Sequence, residues 1–168
     1  LKGMGDALEI GTFVENAVGA SASASLLLPA ILFLVAIFLA FSTGTSWGTF
    51  AILVPIAIAM FPGADKLEMM IISVSAVLAG AVCGDHVSPI SDTTVMSSAG
   101  AQSNHINHVT TQMQYAAVVA VVCFIGYIIA GVSQSWWIAL GSSLVILLVV
   151  LTVMKRVFAA REKKSVAA

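Results

Sequence analysis

Residues 85–94 have the sequence Asp85-His86-Val87-Ser88-Pro89-Ile90-Ser91-Asp92-Thr93-Thr94, a polar decapeptide inside an apolar part of the chain. The uncharged run Met69–Gly84 precedes this aspartate stretch, and the small residues Val95–Ala101 follow it. From Asn16 to Met154 the charged residues are Asp65, Lys66, Glu68, Asp85 and Asp92. The first three form a predicted loop, so the two aspartates of the stretch are the carboxylates embedded in apolar sequence.

The composition indicates an integral membrane protein. The chain has 168 residues, of which 60% are hydrophobic and 9% charged, and its mean hydropathy is +1.05. Soluble domains carry about 25% charged residues. The net charge of −1 gives no reason to expect a nucleic-acid partner. The two cysteines, Cys83 and Cys123, lie in apolar runs and are expected to be apolar filler, without a disulfide framework or metal-ligand spacing.

Two apolar runs are long enough to be simple spanning helices, because about 20 apolar residues cross a hydrocarbon core of ~30 Å. These are Tyr115–Val132, which extends back through Thr110, and Trp136–Met154, joined by the turn Ser133–Ser135. Five of the seven basic residues follow in the tail 155–168, which places the C-terminus in the cytoplasm by the positive-inside rule. The polar segment Gln102–His108 is expected to be a linker with unremarkable histidines.

A second polar interruption lies upstream, with the sequence Ser42-Thr43-Gly44-Thr45-Ser46-Trp47-Gly48-Thr49. This hydroxyl stretch separates the apolar runs Leu26–Phe41 and Phe50–Phe61. The fold prediction is therefore an all-α membrane bundle with two discontinuous helices, broken or re-entrant, and two simple spanning helices. Four regions follow: 1–25, interfacial or the end of a preceding broken helix; 26–108, with both interrupted segments; 109–154, two transmembrane helices; and 155–168, a basic tail.

A helix can unwind at membrane depth only where it faces protein or a water-filled cavity. Unwound backbone presents carbonyls and helix termini, and discontinuous helices of transporters coordinate Na⁺ in this way. Intramembrane carboxylates are functional by default. The predicted Na⁺/H⁺ ligands are Asp85, Asp92, Ser88, Ser91, Thr93, Thr45, Ser46 and Thr49. The predicted supporting residues are His86, Pro89, Gly44, Gly48 and Trp47.

Each assignment has an alternative. The aspartate stretch is also compatible with a polar loop outside the membrane. The hydroxyl stretch is also compatible with a helix-packing interface, which the bulk of Trp47 disfavours. His86 is either a proton carrier or a residue that orients Asp85 by a hydrogen bond. A carboxylate at membrane depth holds either a proton or Na⁺ but not both, and this competition is sufficient for exchange when access alternates.

The two stretches resemble those of NhaC-type sodium/proton antiporters of the ion-transporter superfamily. The likeness rests on Gly44–Thr49 and Gly84–Thr94, and it continues through Met96-Ser97-Ser98 and His108–Met113. One departure is Gln114, where family members are expected to have proline. The resemblance implies a multi-pass carrier of the inner (plasma) membrane with repeated halves, of which this sequence is similar to the C-terminal one.

The resemblance implies sodium/proton antiport without a cofactor. The implied partners are Na⁺, protons, the lipid bilayer and the N-terminal half of the same transporter, and a homo-oligomer is compatible with it. Sodium- or proton-coupled exchange of organic acids such as malate and lactate is the alternative within the transport class. A remote alternative is an intramembrane aspartyl protease. The two aspartates of such a protease lie on two adjacent helices, whereas Asp85 and Asp92 lie on one short segment. Val82 also replaces the first glycine of the protease motif Gly-x-Gly-Asp. A structural membrane subunit is a further alternative, and no enzyme activity is expected.

Overall fold

A computed structural model describes residues 22–61, 63 and 66–166 of the chain, and these residues form helices without any strand. The helices are α1 (Ala22–Thr43), α2 (Ser46–Ala59), α3 (Leu67–Val87), α4 (Asp92–Gly100), α5 (His105–Ser133) and α6 (Trp136–Val166). Four of them, α1, α3, α5 and α6, contain segments long and apolar enough to cross a membrane. The all-α membrane class is therefore confirmed. The predicted segment 1–25 lies outside the described residues except for its last four, which begin α1.

Both polar stretches interrupt helices, but the interruptions are shorter than the stretches. The first break consists of Gly44 and Thr45, between α1 and α2, and the second break consists of Ser88–Ser91, between α3 and α4. The hydroxyls of Ser42 and Thr43 donate to carbonyls four residues earlier, at 2.7 and 2.9 Å, so both residues remain in α1. Most of the predicted ligands therefore lie in terminal helical turns, beside the unwound backbone.

The centre of the bundle is a close contact between α1 and α3. Ala36, Ala40, Ala76 and Ala81 are fully buried along it. A Cβ atom on Gly84 would collide with the carbonyl oxygen of Ile37, so this glycine lets the two backbones approach. Small residues are the usual means of helix association in membranes, where apolar side chains gain little by leaving lipid. This contact fixes the end of α3 next to α1.

The remaining helices surround this pair. α2 packs on α3, and α5 packs on α1 and α3. α6 returns along α5 after a turn in which Gln134 has a left-handed backbone, with φ of 50°. None of the membrane-crossing window of α6 is buried. α6 is therefore the peripheral helix of the described bundle.

Two sequence-based boundaries are wrong. The segment Gln102–His108 is not an extended linker, since α5 begins at His105, and the Asn104 side chain caps it by accepting from the amide of Asn107 at 3.0 Å. Asparagine is one of the preferred N-cap residues, which explains the early start. The basic tail also does not begin where the helix ends, because α6 continues through Lys155 and Arg156 to Val166.

Candidate functional site

The two breaks contact one another. The Ser88 hydroxyl donates to the carbonyl oxygen of Phe41 at 2.8 Å, from the second break to the last turn of α1. Gly44 has a left-handed backbone, with φ of +67°, and a Cβ at this position would lie 2.9 Å from the carbonyl oxygen of Ile90. Glycine satisfies both the backbone conformation and the lack of space. Residues 41–44 and 88–90 therefore form one junction.

Four helix ends meet at or near this junction. The carboxyl ends of α1 and α3 are followed within a few residues by the amino ends of α2 and α4. Carboxyl ends carry partial negative charge on free carbonyls, and amino ends carry partial positive charge on free amides. Ser88 and Ser91 have extended backbones, and Pro89 between them has no amide hydrogen to donate. The junction therefore contains main-chain carbonyl oxygens, a type of ligand that hard cations accept, and those of Phe41 and Pro89 each have a hydrogen-bond partner within the bundle.

Asp85 lies in the last turn of α3, three residues before Ser88. Its side chain is buried, with 8% of its surface exposed, and its Oδ1 is buried without any hydrogen-bond donor. A buried carboxylate oxygen without a partner is unfavourable unless a proton or a cation neutralises it. Within the described residues, no Lys or Arg side chain neutralises Asp85.

Asp92 occupies a different environment from Asp85. It is exposed, in the first turn of α4, and its Oδ1 accepts from the amide of Thr93 at 2.8 Å. An acidic residue at a helix amino end is stabilised by the free amides there, whatever else it binds. Of the two predicted carboxylates, the buried one with an unpaired oxygen is Asp85. His86 and Trp47 are also exposed, and Trp47 contacts Phe50 edge-on.

The predicted hydroxyl ligands separate into two groups. Ser88 and Ser91 are fully buried in the second break, where Ser91 shares a hydrogen bond of 2.8 Å with Thr93. Thr45 and Thr49 belong to the amino end of α2. Thr45 caps this helix by accepting from the amide of Gly48 at 3.4 Å, and the buried Thr49 donates to the Thr45 carbonyl at 3.0 Å. Ser46 is half-buried beside them.

A third polar group was missed by the sequence reasoning. Ser98 is buried in α4, and its Oγ lies 3.1 Å from Nδ1 of His105 and 2.7 Å from Nδ1 of His108. Nε2 of His105 lies 2.7 Å from the carbonyl oxygen of Pro89, in the second break. The signal was present in the sequence: Asn104 is a helix cap, and residues three apart share one helical face.

Two cavities lie elsewhere in the bundle. The larger, about 740 Å³, lies between α3, α5 and α6 and is lined by apolar side chains with Glu68 and Tyr127. It contains none of the predicted site residues. The smaller, about 440 Å³, is lined by His86 and Gln112 among apolar residues of α3 and α5. Within 22–61, 63 and 66–166, no group of three or more His, Cys, Asp or Glu side chains is placed to hold a metal ion.

Comparisons with known proteins agree with these features. The family model of the Na⁺/H⁺ antiporter family matches residues 2–132. An uncharacterized protein of Haemophilus influenzae (strain ATCC 51907 / DSM 11121 / KW20 / Rd) is 53% identical over 129 residues, which is 77% of this chain and 25% of that protein. The chain thus spans about a quarter of the length of this curated relative. No solved structure matches the chain.

The family match decides several predictions. It covers the hydroxyl stretch, the aspartate stretch and the histidine pair of α5. This is a family of transporters and not of enzymes, in agreement with the prediction of a transport protein without enzyme activity. Four apolar helices agree with a membrane location. The chain belongs to the Na⁺/H⁺ antiporter family.

Proposed function

We propose that this chain is part of a secondary transporter that exchanges Na⁺ for H⁺ by alternating access, with Asp85 as the carboxylate for which the two ions compete. The observation that carries the proposal is the unpaired, buried Oδ1 of Asp85, one helical turn from the second break. A proton or a sodium ion neutralises this carboxylate, and the two exclude each other. Opening the site to one side of the membrane at a time then couples the two fluxes.

Main-chain carbonyls at the junction are proposed to complete the sodium shell with Asp85. Ser88 and Ser91 contribute by holding the break open, because the Ser88 hydroxyl is engaged with Phe41 and the Ser91 hydroxyl with Thr93. Thr45, Ser46 and Thr49 support the amino end of α2, whose free amides lie at the same junction. Asp92 is proposed to fix the start of α4 and to add negative charge near the site.

The substrate is proposed to be a bare cation. Residues 67–154 contain neither Lys nor Arg, so no fixed cation is available there to bind an organic anion. Exchange of malate, lactate or another organic acid is the second candidate, since other parts of the transporter can supply a basic residue. The resemblance to NhaC-type antiporters supports the first candidate. A multi-pass location in the plasma membrane with a cytoplasmic C-terminus is proposed from the basic residues at 155–164.

The test uses the intact transporter in liposomes with an imposed pH gradient and an internal pH dye. Added Na⁺ should drive proton movement in the wild type, and Asp85→Asn should reduce its rate by at least about tenfold, the factor expected for a ligand worth ~1.4 kcal/mol. Glu68→Gln is the matched control, because this exposed carboxylate is at the opposite end of α3. Normal exchange in Asp85→Asn would refute the assignment.

Two further experiments test the role of Asp92 and the identity of the substrate. Asp92→Asn should retain more exchange than Asp85→Asn, because an asparagine oxygen can still accept from the Thr93 amide and Asp92 has no unpaired buried oxygen. Equal loss in both variants would mean that the two carboxylates act together. Malate or lactate added to the same liposomes should leave the sodium-driven proton flux unchanged. A flux that requires either acid would replace the bare-cation substrate with organic-acid exchange.

A further inference from the structure

The two ends of α6 differ in chemistry. Trp136 and Trp137 begin the helix, with ring centroids stacked 3.6 Å apart, and they are 48% and 67% exposed. Lys155 and Arg156 lie toward its other end, and both are exposed. Tryptophan is enriched at the level of the lipid headgroups, and basic residues flank membrane spans. The aromatic pair therefore marks one surface of the bilayer, and the two basic residues mark the other.

The apolar part of α6 places Lys155 and Arg156 at the edge of the hydrocarbon. The uncharged run Ile138–Met154 separates them from the aromatic pair and is about 25 Å long at 1.5 Å per residue. A hydrocarbon core is ~30 Å thick, so this run is slightly shorter than the core. Both side chains must therefore extend outward to place their charges among the headgroups, as long basic side chains do at helix ends.

The neighbouring helix offers no acidic side chain to these two charges. α6 packs on α5, and α5 contains neither Asp nor Glu. None of the membrane-crossing window Trp136–Val157 is buried, and apolar side chains such as Leu148 and Val153 are exposed along it. The described part of the chain therefore leaves the end of this window to the surrounding lipid.

The helix does not stop at the hydrocarbon edge. α6 continues to Val166, and residues 155–166 contain five basic residues and one acidic residue, a net charge of +4. The later basic residues are Arg161, Lys163 and Lys164. From Lys155 to Lys164 the helix rises about 14 Å, which carries this charge through the headgroup layer. An anionic membrane surface attracts each such residue within a Debye length.

We propose that the carboxyl end of α6 is a binding surface for anionic phospholipids. Lys155 and Arg156 bind headgroup phosphates at the hydrocarbon edge, where an arginine forms two parallel hydrogen bonds to one phosphate. The acyl chains lie along the exposed apolar surface of α6, and the later basic residues attract the same leaflet. This surface is separate from Asp85 and does not depend on which ions the transporter exchanges.

The first experiment measures lipid binding to the intact transporter by native mass spectrometry from a neutral detergent. Phosphatidylglycerol and phosphatidylcholine with identical acyl chains are titrated separately. We expect the wild type to prefer phosphatidylglycerol by at least about fivefold, the factor that one basic residue supplies at an anionic surface. Lys155→Gln and Arg156→Gln should each weaken phosphatidylglycerol binding about fivefold and leave phosphatidylcholine binding unchanged. Arg156→Lys should retain the preference, because it keeps the charge.

Lys66→Gln is the matched control, because it removes one exposed basic residue that precedes α3 and lies outside α6. It should leave both affinities unchanged. Equal affinity of the wild type for the two lipids would overturn the proposal, and so would unchanged phosphatidylglycerol binding in both glutamine variants. Glycerol 3-phosphate at the same concentration should not displace the lipid, since it has no acyl chains to bury. Displacement would assign the surface to free phosphates and contradict the assignment to lipid.

A second measurement follows thermal unfolding in mixed micelles that contain either lipid. Phosphatidylglycerol should raise the unfolding temperature of the wild type relative to phosphatidylcholine. The difference should shrink when choline chloride is raised from about 0.05 M to about 0.5 M, because added salt screens the charges. A difference that does not respond to salt would contradict a charge-based surface. If the glutamine variants are destabilised equally in both lipids, the two charges pair with an acidic segment of the transporter, and the proposal fails.

Discussion

The hydroxyl of Ser88 donates a hydrogen bond of 2.8 Å to the carbonyl oxygen of Phe41, and this bond joins the second break to the last turn of α1. The two residues are 47 positions apart in the chain. The Phe41 carbonyl is near the carboxyl end of its helix, where carbonyls lack intrahelical donors. Ser88 therefore satisfies a free helix end and holds the two interruptions next to one another.

Ser88→Ala should destabilise the transporter by about 1–3 kcal/mol, since it leaves a shielded carbonyl without its donor. The measurement is thermal unfolding in detergent. Ser42→Ala is the matched control, because this exposed hydroxyl bonds to a carbonyl of its own helix and its loss should change stability by less than ~0.5 kcal/mol. Equal unfolding temperatures for the two variants would show that the bond does not hold the junction.

Gly44→Ala should disrupt the junction between the breaks. The left-handed backbone costs an alanine about 1–2 kcal/mol, and the added Cβ would be 2.9 Å from the Ile90 carbonyl oxygen, so Ile90 must move. We expect lower thermal stability together with slower exchange. Gly100→Ala is the control, since a Cβ on this helical glycine meets nothing within 4 Å. A fully active Gly44→Ala variant would contradict the close contact.

Gly84→Ala tests the contact between α1 and α3 beside Asp85. The new methyl would collide with the Ile37 carbonyl, and overpacking of this kind costs about 1–3 kcal/mol. Because the helices must separate next to the carboxylate, the apparent affinity for Na⁺ should also fall. Both effects are measurable, by thermal unfolding and by the sodium dependence of proton flux. Gly141→Ala in the open surface of α6 should change neither.

Removal of Na⁺ should lower the stability of the wild type. A ligand at one hundred times its dissociation constant stabilises the folded state by about 2.7 kcal/mol, so replacement of Na⁺ by choline at constant ionic strength should lower the unfolding temperature. Asp85→Asn should abolish this difference, because it removes the charged ligand. A sodium-dependent stabilisation that persists in Asp85→Asn would place the ion elsewhere in the transporter.

The sequence predicted the class of the fold and the location of its interruptions for clear physical reasons. Apolar runs such as Trp136–Met154 can be stable only in lipid, and glycine, proline and hydroxyl residues at membrane depth indicate an unwound helix. The exact breaks were not predictable, because Ser42 and Thr43 can bond back to their own helix as readily as they can leave it. The early start of α5 was predictable from the Asn104 cap, but the polar character of His105 and His108 favoured a linker.

By itself, the sequence determined that the protein is an all-α membrane protein and that carboxylates lie within its apolar region. The apolar composition requires lipid as the surrounding solvent, and the spacing of the charged residues shows which segments lie in it. Only the tertiary structure distinguished the buried Asp85 from the exposed Asp92. It also brought Ser88 to Phe41 and His105 to Pro89. These relationships depend on how closely α1, α3 and α5 pack, and that distance is set by small residues on different helices acting together. No local pattern in the chain encodes such a distance.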